Sequence, residues 1–434
     1  MKISYCSLGC KVNLYETEAI INEFVGKGYQ LVDFDEICDV YIINTCTVTA
    51  MADSKSRKMI RQAVKKNPEA VVAVMGCFSQ LNAETVKNIP GVDIVIGTSN
   101  RRQLIGLVEE CIIKRQQTCS VINYQQIKEY EELKIKQFSH KIRGFVKIQD
   151  GCNNFCSYCI IPYARGTIRS RKPEDVIAEI KLLTEQGMKE IVLTGINTGT
   201  YGRDFTDYCL NDLLGEIIKN VSNLGRIRIS SIEVTEISDE LLTTMNENKE
   251  HICNHLHIPL QAGSDSVLKR MNRKYNISEY QAKIEKIRKK FPKINITTDC
   301  LAGFNGETEA DFQSEKAFIE QMNFGEMHIF PFSPRPNTLA YTLDQPVDAI
   351  TKKRRVNELL ALNHKKALEY RRQFLGEILE IIVEKNENGI AFGHSNNYLE
   401  VEFPSLMAKP NDLIKVKITE ADYPISKGSV VHES

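Results

Sequence analysis

Short β-branched runs alternate with amphipathic helical stretches from residue 2 to about residue 372, and nothing else restricts the fold of this chain as strongly. KISYCSLG, VYIINTC, AVVAVMGC and VDIVIGT are separated by stretches such as NLYETEAIINEFVGKGY and SKSRKMIRQAVKK. Strands joined through helices run parallel, with the helices covering the sheet faces. Residues 1–112 are therefore expected to form a doubly wound parallel-sheet domain of the α/β class. A second series, FVKIQDG, EIVLTGI, RIRISSIE, HLHIPLQAG, NITTDCLAGF and EMHIFPFSP, carries its own helices through residues 138–368. Six such units are too few for a closed eight-fold barrel, so a partial (β/α)6 barrel is predicted. The polar, poorly periodic residues 113–137 between the two series read as a linker. Beyond residue 371 the period changes to two, in GEILEIIVEK, YLEVEF and LIKVKITEA, with turn signals NENG and KPND between them. Residues 371–434 thus predict a small all-β barrel of the oligonucleotide-binding type.

Cysteine usage adds the chemistry. The chain has 13 cysteines in 434 residues, and its amino terminus MKISYCSLGC lacks the shape of a signal peptide. Reduced thiols, metal work and a cytoplasmic location are the expectation. No apolar run is long enough to span a membrane, so no membrane association is expected. Cys152, Cys156 and Cys159 have the spacing C-x3-C-x2-C in GCNNFCSYCIIPYARG. Three thiolates on a 4Fe–4S cluster leave one iron open to chelate S-adenosylmethionine and pass an electron to its sulfonium. A structural zinc site normally takes four ligands, and no fourth Cys or His follows nearby.

Cys10, Cys46 and Cys77 each follow a predicted strand, and in open α/β sheets the loops at those ends meet in one crevice. This trio is expected to hold a second cluster; Gly9 and Gly76 beside it allow the backbone to approach a bulky ligand. Cys6 and Cys38, within apolar segments, read as small buried hydrophobes, and Cys111 and Cys119 as structural. By the strand-end rule the mouth of the second unit should be lined by Thr194–Asn197, Ser231–Glu233, Gln261–Asp265 and Gly303–Gly306. Among these, Thr194, Gly195, Asn197, Ser231, Glu233 and Gln261 are the candidate cofactor contacts, although each position equally suits a loop or cap residue.

The chain resembles the radical-SAM methylthiotransferases over essentially its whole length. Cys10, Cys46 and Cys77 match that family's amino-terminal trio, CIIPYARGTIRSR the stretch after its cluster loop, and HIPLQAGSDSVLKRMNRKY, GFNGETEADF and FPFSPRPNTLAY later blocks. Asn305 and Val234 stand where proline is common. The resemblance implies two 4Fe–4S clusters, S-adenosylmethionine as methyl donor and radical source, a radical-SAM core over 138–368 and a terminal barrel called TRAM. It further implies tRNA as partner and an external electron donor, with the sulfur donor left open. SLGCKVN and NTCTVTAMADSKSRKMIRQA look most like the branch that methylthiolates C2 of N6-threonylcarbamoyladenosine at position 37 of tRNA. The alternatives within the family are an aspartate of ribosomal protein S12 and isopentenyladenosine in tRNA; a non-catalytic iron–sulfur RNA-binding protein is a third class.

Overall charge is balanced, with 56 Lys/Arg against 56 Asp/Glu, so RNA must be met by local patches. Residues 351–373 carry eight Lys/Arg against two Glu at helical spacing and are the expected RNA-facing helix, with SKSRKMIRQAVKK adding basic surface. Residues 372–434 instead hold six Lys/Arg against ten Asp/Glu, an odd composition for a phosphate clamp and the feature that keeps a protein substrate in view.

Overall fold

The computed structural model describes residues 1–135 and 142–431. Six parallel strands, β1 (Lys2–Ser7), β2 (Gln30–Leu31), β3 (Val40–Thr45), β4 (Val71–Gly76), β5 (Ile94–Ile96) and β6 (Thr118–Ser120), form the first sheet in the order β2-β1-β3-β4-β5-β6. Side chains alternate across it: Ile42, Val71 and Ala73 pack with Tyr15, Ala19 and Phe24 on one face, and Tyr41, Ile43, Val72 and Val74 with Ile60 and Ala63 on the other. Both faces are covered, as the doubly wound reading requires. Strand order reverses between β1 and β3, which puts a crevice at their carboxyl ends.

The stretch 113–137 does not behave as a bare linker. It supplies β6, which pairs with β5, and it buries Leu133 and Ile135 in the first domain's core, where Tyr15 donates to the Leu133 carbonyl at 2.6 Å. An edge strand of three residues needs few apolar side chains, so its polarity hid it. The expected start of the second unit at residue 138 lies outside the described residues.

In the second unit, β7 (Arg143–Lys147) leads into the short antiparallel pair β8 (Gln149–Asp150) and β9 (Arg169–Ser170). Then follow β10 (Glu190–Thr194), β11 (Arg226–Ile229), β12 (His255–His257), β13 (Asn295–Ala302) and β14 (Glu326–Pro331). These make two parallel three-stranded sheets, β7-β10-β11 and β12-β13-β14. Parallel bridges Ile227↔Ile252 and Ser231↔His257 stitch β11 to β12, giving one six-stranded open barrel with helices outside. The closed terminal barrel follows: β15 (Ile378–Glu387), β16 (Ile390–Ser395), β17 (Glu400–Pro404), β18 (Leu413–Glu420) and β19 (Ile425–Val430), ordered β15-β16-β17-β19-β18.

The terminal barrel packs against the amino ends of the second unit's strands. Arg226 and Arg228 donate to the carbonyls of His394 and Asn396 at 3.0 Å each, Asn295 to that of Asn397 at 2.8 Å, and Arg143 pairs with Glu384 at 3.0 Å. Part of the terminal barrel's acidity is thus matched to cations of the core, Lys293 with Glu377 included. No described helix is long and apolar enough to cross a membrane.

Candidate functional site

Cys10, Cys46 and Cys77 all lie at carboxyl ends of neighbouring strands, on either side of the strand-order reversal. Cys10 precedes the helix Lys11–Gly26 and Cys77 opens the helix Cys77–Leu81. Gly9 has φ +100°, and a Cβ there would stand 2.9 Å from Cys46 Cβ; Gly76 has φ +102°, and a Cβ would meet Asn44 Oδ1 at 2.3 Å. Only glycine fits either place. Burial pushes the Cys77 thiol up to about 12 and raises that of Cys46, and Cys77 feels both other thiols of its trio. Cys38 is buried and donates to the Val40 carbonyl, Cys6 is half-buried, Cys111 is buried in the core, and Cys119 is exposed on β6.

Cys152, Cys156 and Cys159 occupy the loop after β8. Its base is fixed by Gly151, whose φ of +73° leaves no room for a side chain against the Thr167 carbonyl, and by Cys152 N–H donating to the Gly166 carbonyl at 3.0 Å. Ser157 Oγ donates to the Arg270 carbonyl at 2.7 Å, and Asn272 to that of Phe155 at 2.8 Å, tying the loop to the segment after Asp265–Arg270. Burial raises Cys152 to about 11 and Cys159 to about 12. Thiols so buried keep their protons until a cation replaces them. Among the described residues neither trio brings its sulfurs within 4.8 Å of one another, the convergence a single ion needs. Thiolates are the ligands of multi-iron clusters, so the chemistry of both donor sets suits one.

Of the candidate cofactor contacts, Thr194 ends β10 and Gly195 and Asn197 follow it, where Asn197 N–H donates to Gln149 Oε1 at 2.9 Å. The Asn197 side chain is 5% exposed and its amide has no partner on either atom among the described residues, as expected of a group awaiting a ligand. Ser231 accepts from Thr198 Oγ1 through its carbonyl at 2.6 Å. Glu233 is brought to the cysteine loop by Arg273, which pairs with that carboxylate and donates to Cys156 Sγ at 3.3 Å. Gln261, at φ +68°, forms a bridge to Cys300. In the other two expected mouth segments, three residues have local structural contacts. Asp265 accepts the Ile277 N–H at 2.7 Å, and Gly303 and Gly306 are packed under Lys352 and Arg270.

Sequence reasoning missed the junction of the two units. Glu16, fully buried, pairs with Arg101 at 2.5 Å, Lys147 at 2.7 Å and Arg165 at 2.8 Å; Arg165 also meets Asp150 at 3.0 Å and Asn13 Oδ1 at 2.6 Å. Burial alone would raise the Glu16 carboxyl, but the three cations outweigh it and hold it at about 2. Asn13 lies one turn past Cys10, and Arg165 ends the short helix after Cys159, so this cluster ties the segment that follows Cys10 to the segment that follows Cys159. Arg165 was visible in CIIPYARG, yet a lone arginine does not announce its partners. Arg335 makes a second tie, donating to Thr47 Oγ1 at 2.8 Å just past Cys46.

The expected RNA helix, now Ala349–Arg372, uses most of its charge internally. Arg354 and Arg355 pair with Glu309, Lys365 with Glu320, Lys366 with Glu369, and buried Arg371 donates to the Pro424 carbonyl. On Ala50–Lys66, by contrast, Lys55, Lys58, Arg61 and Lys65 are exposed, and no ion pair joins them among the described residues.

Comparison with known proteins agrees with this architecture. Residues 146–319 match the Radical SAM superfamily and residues 2–97 the Uncharacterized protein family UPF0004. Threonylcarbamoyladenosine tRNA methylthiotransferase MtaB of Bacillus subtilis (strain 168) is 44% identical over 434 residues, covering 99% of this chain and 96% of that protein. A tRNA-2-methylthio-N(6)-dimethylallyladenosine synthase of Thermoanaerobacter sp. (strain X514) is 34% identical, over 98% of this chain and 91% of that protein. Among solved structures, the radical S-adenosylmethionine methyltransferase TsrM of Kitasatospora setae, with cobalamin and a 4Fe–4S cluster bound, shares the fold at TM-score 0.60 and 12% identity, over 90% of this chain and 80% of that one.

Proposed function

The chain belongs to the radical-SAM methylthiotransferase family, and from that premise we propose that it adds a methylthio group to C2 of N6-threonylcarbamoyladenosine at position 37 of tRNA. The observation that supports this reading is the buried junction around Glu16 and Arg165, which ties the segment after Cys10 to the segment after Cys159. Cys152, Cys156 and Cys159 would hold the cluster that binds S-adenosylmethionine, and Cys10, Cys46 and Cys77 the auxiliary one. When bound, these groups supply reductive cleavage of the cofactor and the methylated sulfur.

The remaining work falls to the chain's own residues. An aromatic C–H at C2 has no useful acidity at neutral pH, so no general acid–base pair is required; the site must orient the base and exclude water. Thr194, Gly195 and the unpartnered Asn197 amide suit polar groups of the cofactor, while Glu233 acts through Arg273 to hold the cysteine loop. Ser231 and Gln261 complete the candidate rim. An external electron donor feeds the reaction, in the cytoplasm. tRNA meets the exposed basic face of Ala50–Lys66, next to Cys46.

The alternative substrates are not favoured. The 44% relative is named for threonylcarbamoyladenosine and the 34% one for dimethylallyladenosine. The terminal barrel's acidity, which kept S12 in view, is partly engaged with Arg143 and Lys293. Mass spectrometry of tRNA nucleosides from cells with and without the gene tests the proposal. Loss of 2-methylthio-threonylcarbamoyladenosine with accumulation of its unthiolated precursor is the expected result; unchanged tRNA overturns it.

A further inference from the structure

The convergence that neither thiol trio shows is present elsewhere among the described residues. Donor atoms of His257, Asp299 and His328 all lie within 4.8 Å of one another. The three come from adjacent strands, His257 from β12, Asp299 from β13 and His328 from β14, with His257 opposite Thr297 and Asp299 opposite His328 in the parallel register. Leu256, Ile296, Cys300 and Met327 of the same strands belong to the apolar core beneath the helices, so the alternate residues His257, Asp299 and His328 point to the other side, the lumen of the open barrel. None of the three sits on a loop, and strand pairing fixes their backbone spacing.

His257 Nε2 stands 3.2 Å from Asp299 Oδ2, and the His328 ring lies 5.5 Å from that of His257. Donors about 2.1 Å from one ion are roughly 3–3.5 Å apart, so the first pair is already spaced as two ligands of one ion. Closing the third needs only a turn of the His328 side chain, which is exposed and makes no hydrogen bond or ion pair among the described residues. Behind His257 a relay supports the matching tautomer. An ion on Nε2 leaves the proton on Nδ1, and Nδ1 has an acceptor in Thr297 Oγ1 at 2.9 Å. The Thr297 hydroxyl then donates to His255 Nε2 at 3.0 Å, and burial keeps His255 neutral and able to accept. His255 in turn stacks on Tyr398 of the terminal barrel, with ring centres 4.8 Å apart. Such a hydrogen bond to the second nitrogen of a histidine is the usual support of a metal ligand. A plain His257–Asp299 hydrogen bond gives no reason for a third donor, unpartnered, at the same point.

We propose that His257, Asp299 and His328 form a site for one divalent first-row transition ion, separate from both thiol trios, whose remaining positions open on the lumen and take water or another oxygen donor. Two imidazoles and one carboxylate are the donor set of iron(II), zinc and manganese(II), whereas magnesium and calcium favour oxygen alone. The site stands whichever base or protein is the substrate, so its failure and the failure of the reading above are separate results.

The test uses cluster-loaded full-length protein with both clusters oxidised, titrated with manganese(II) and followed by electron paramagnetic resonance. Wild type, His257→Ala, His328→Ala and, as a surface control, His364→Ala are compared, with iron and sulfide content as the check on folding. The wild type is expected to bind one manganese(II) per chain with nitrogen coupling from imidazole, and zinc should displace it. His328→Ala and His257→Ala should each weaken binding by at least about tenfold and reduce the nitrogen coupling, and His364→Ala should do neither. Exposed His328 decides the matter even if His257→Ala fails to fold. Wild-type protein that binds no manganese(II) with nitrogen coupling overturns the site and leaves a hydrogen-bonded pair. Equal binding by the wild type and His328→Ala means an adventitious ion only and overturns it too, as does equal weakening by His364→Ala.

Discussion

Cys152, Cys156 and Cys159 lie on one loop closed by its own backbone hydrogen bonds, whereas Cys10, Cys46 and Cys77 come from three parallel strands of a different domain. The local trio needs a glycine at residue 151 and a supporting segment around Arg270–Arg273. The dispersed trio needs a whole sheet in register, with glycines where the backbone crowds Cys46 and Asn44. Redundancy differs accordingly. A loop can be lost without unfolding a domain, while the dispersed site inherits every error in strand order. The Glu16–Arg165 junction ties the segments that carry them together.

The largest effect that would sharpen this contrast is on the loop. Cys152→Ala should abolish reductive cleavage of S-adenosylmethionine and with it every product, read as 5′-deoxyadenosine by chromatography. Cys46→Ala should still cleave the cofactor but insert no sulfur; methylthio product from this variant would break the assignment of separate roles. Next comes the junction. Glu16→Gln leaves Arg101, Lys147 and Arg165 short of their shared counter-charge in a buried site and should cost about 3–5 kcal/mol in chemical denaturation. Because the folded-state pKa of Glu16 is depressed, its contribution is full above the ordinary carboxylate range and declines as pH falls toward about 2. Wild-type stability should therefore fall on acidification across that window, and the Glu16→Gln variant should fall less. The smallest effect separates the two basic helices. Replacing Lys58 and Arg61 by alanine should weaken tRNA binding by about 1 kcal/mol and flatten its salt dependence, measured by filter binding. Lys365→Ala, which only frees Glu320, should do neither.

Several features are legible in the sequence. The cysteine loop is a contiguous motif, and strand–helix alternation predicts parallel sheets wherever apolar runs are long enough to show a period. Cys10, Cys46 and Cys77 could be grouped because strand ends in such a sheet share one side. Other features were not. The edge strand Thr118–Ser120 is too short and polar to signal itself, and the basic composition of Ala349–Arg372 gave no hint that Arg355 and Arg371 are buried and engaged. Asp265 shows the same limit, since a carboxylate after a strand looks alike whether it meets a cofactor or the Ile277 N–H.

The sequence by itself determined the α/β class of two units, the β-barrel that follows and the close spacing of the three loop cysteines, because thiol spacing and hydrophobic period are local properties carried by neighbouring residues. Only the tertiary structure decided that Glu16 meets Arg165 across 149 positions of chain, and that the terminal barrel packs on the amino ends of the core strands. Charge pairing depends on which groups burial brings together, and partners far apart in sequence leave no period or spacing by which to find them.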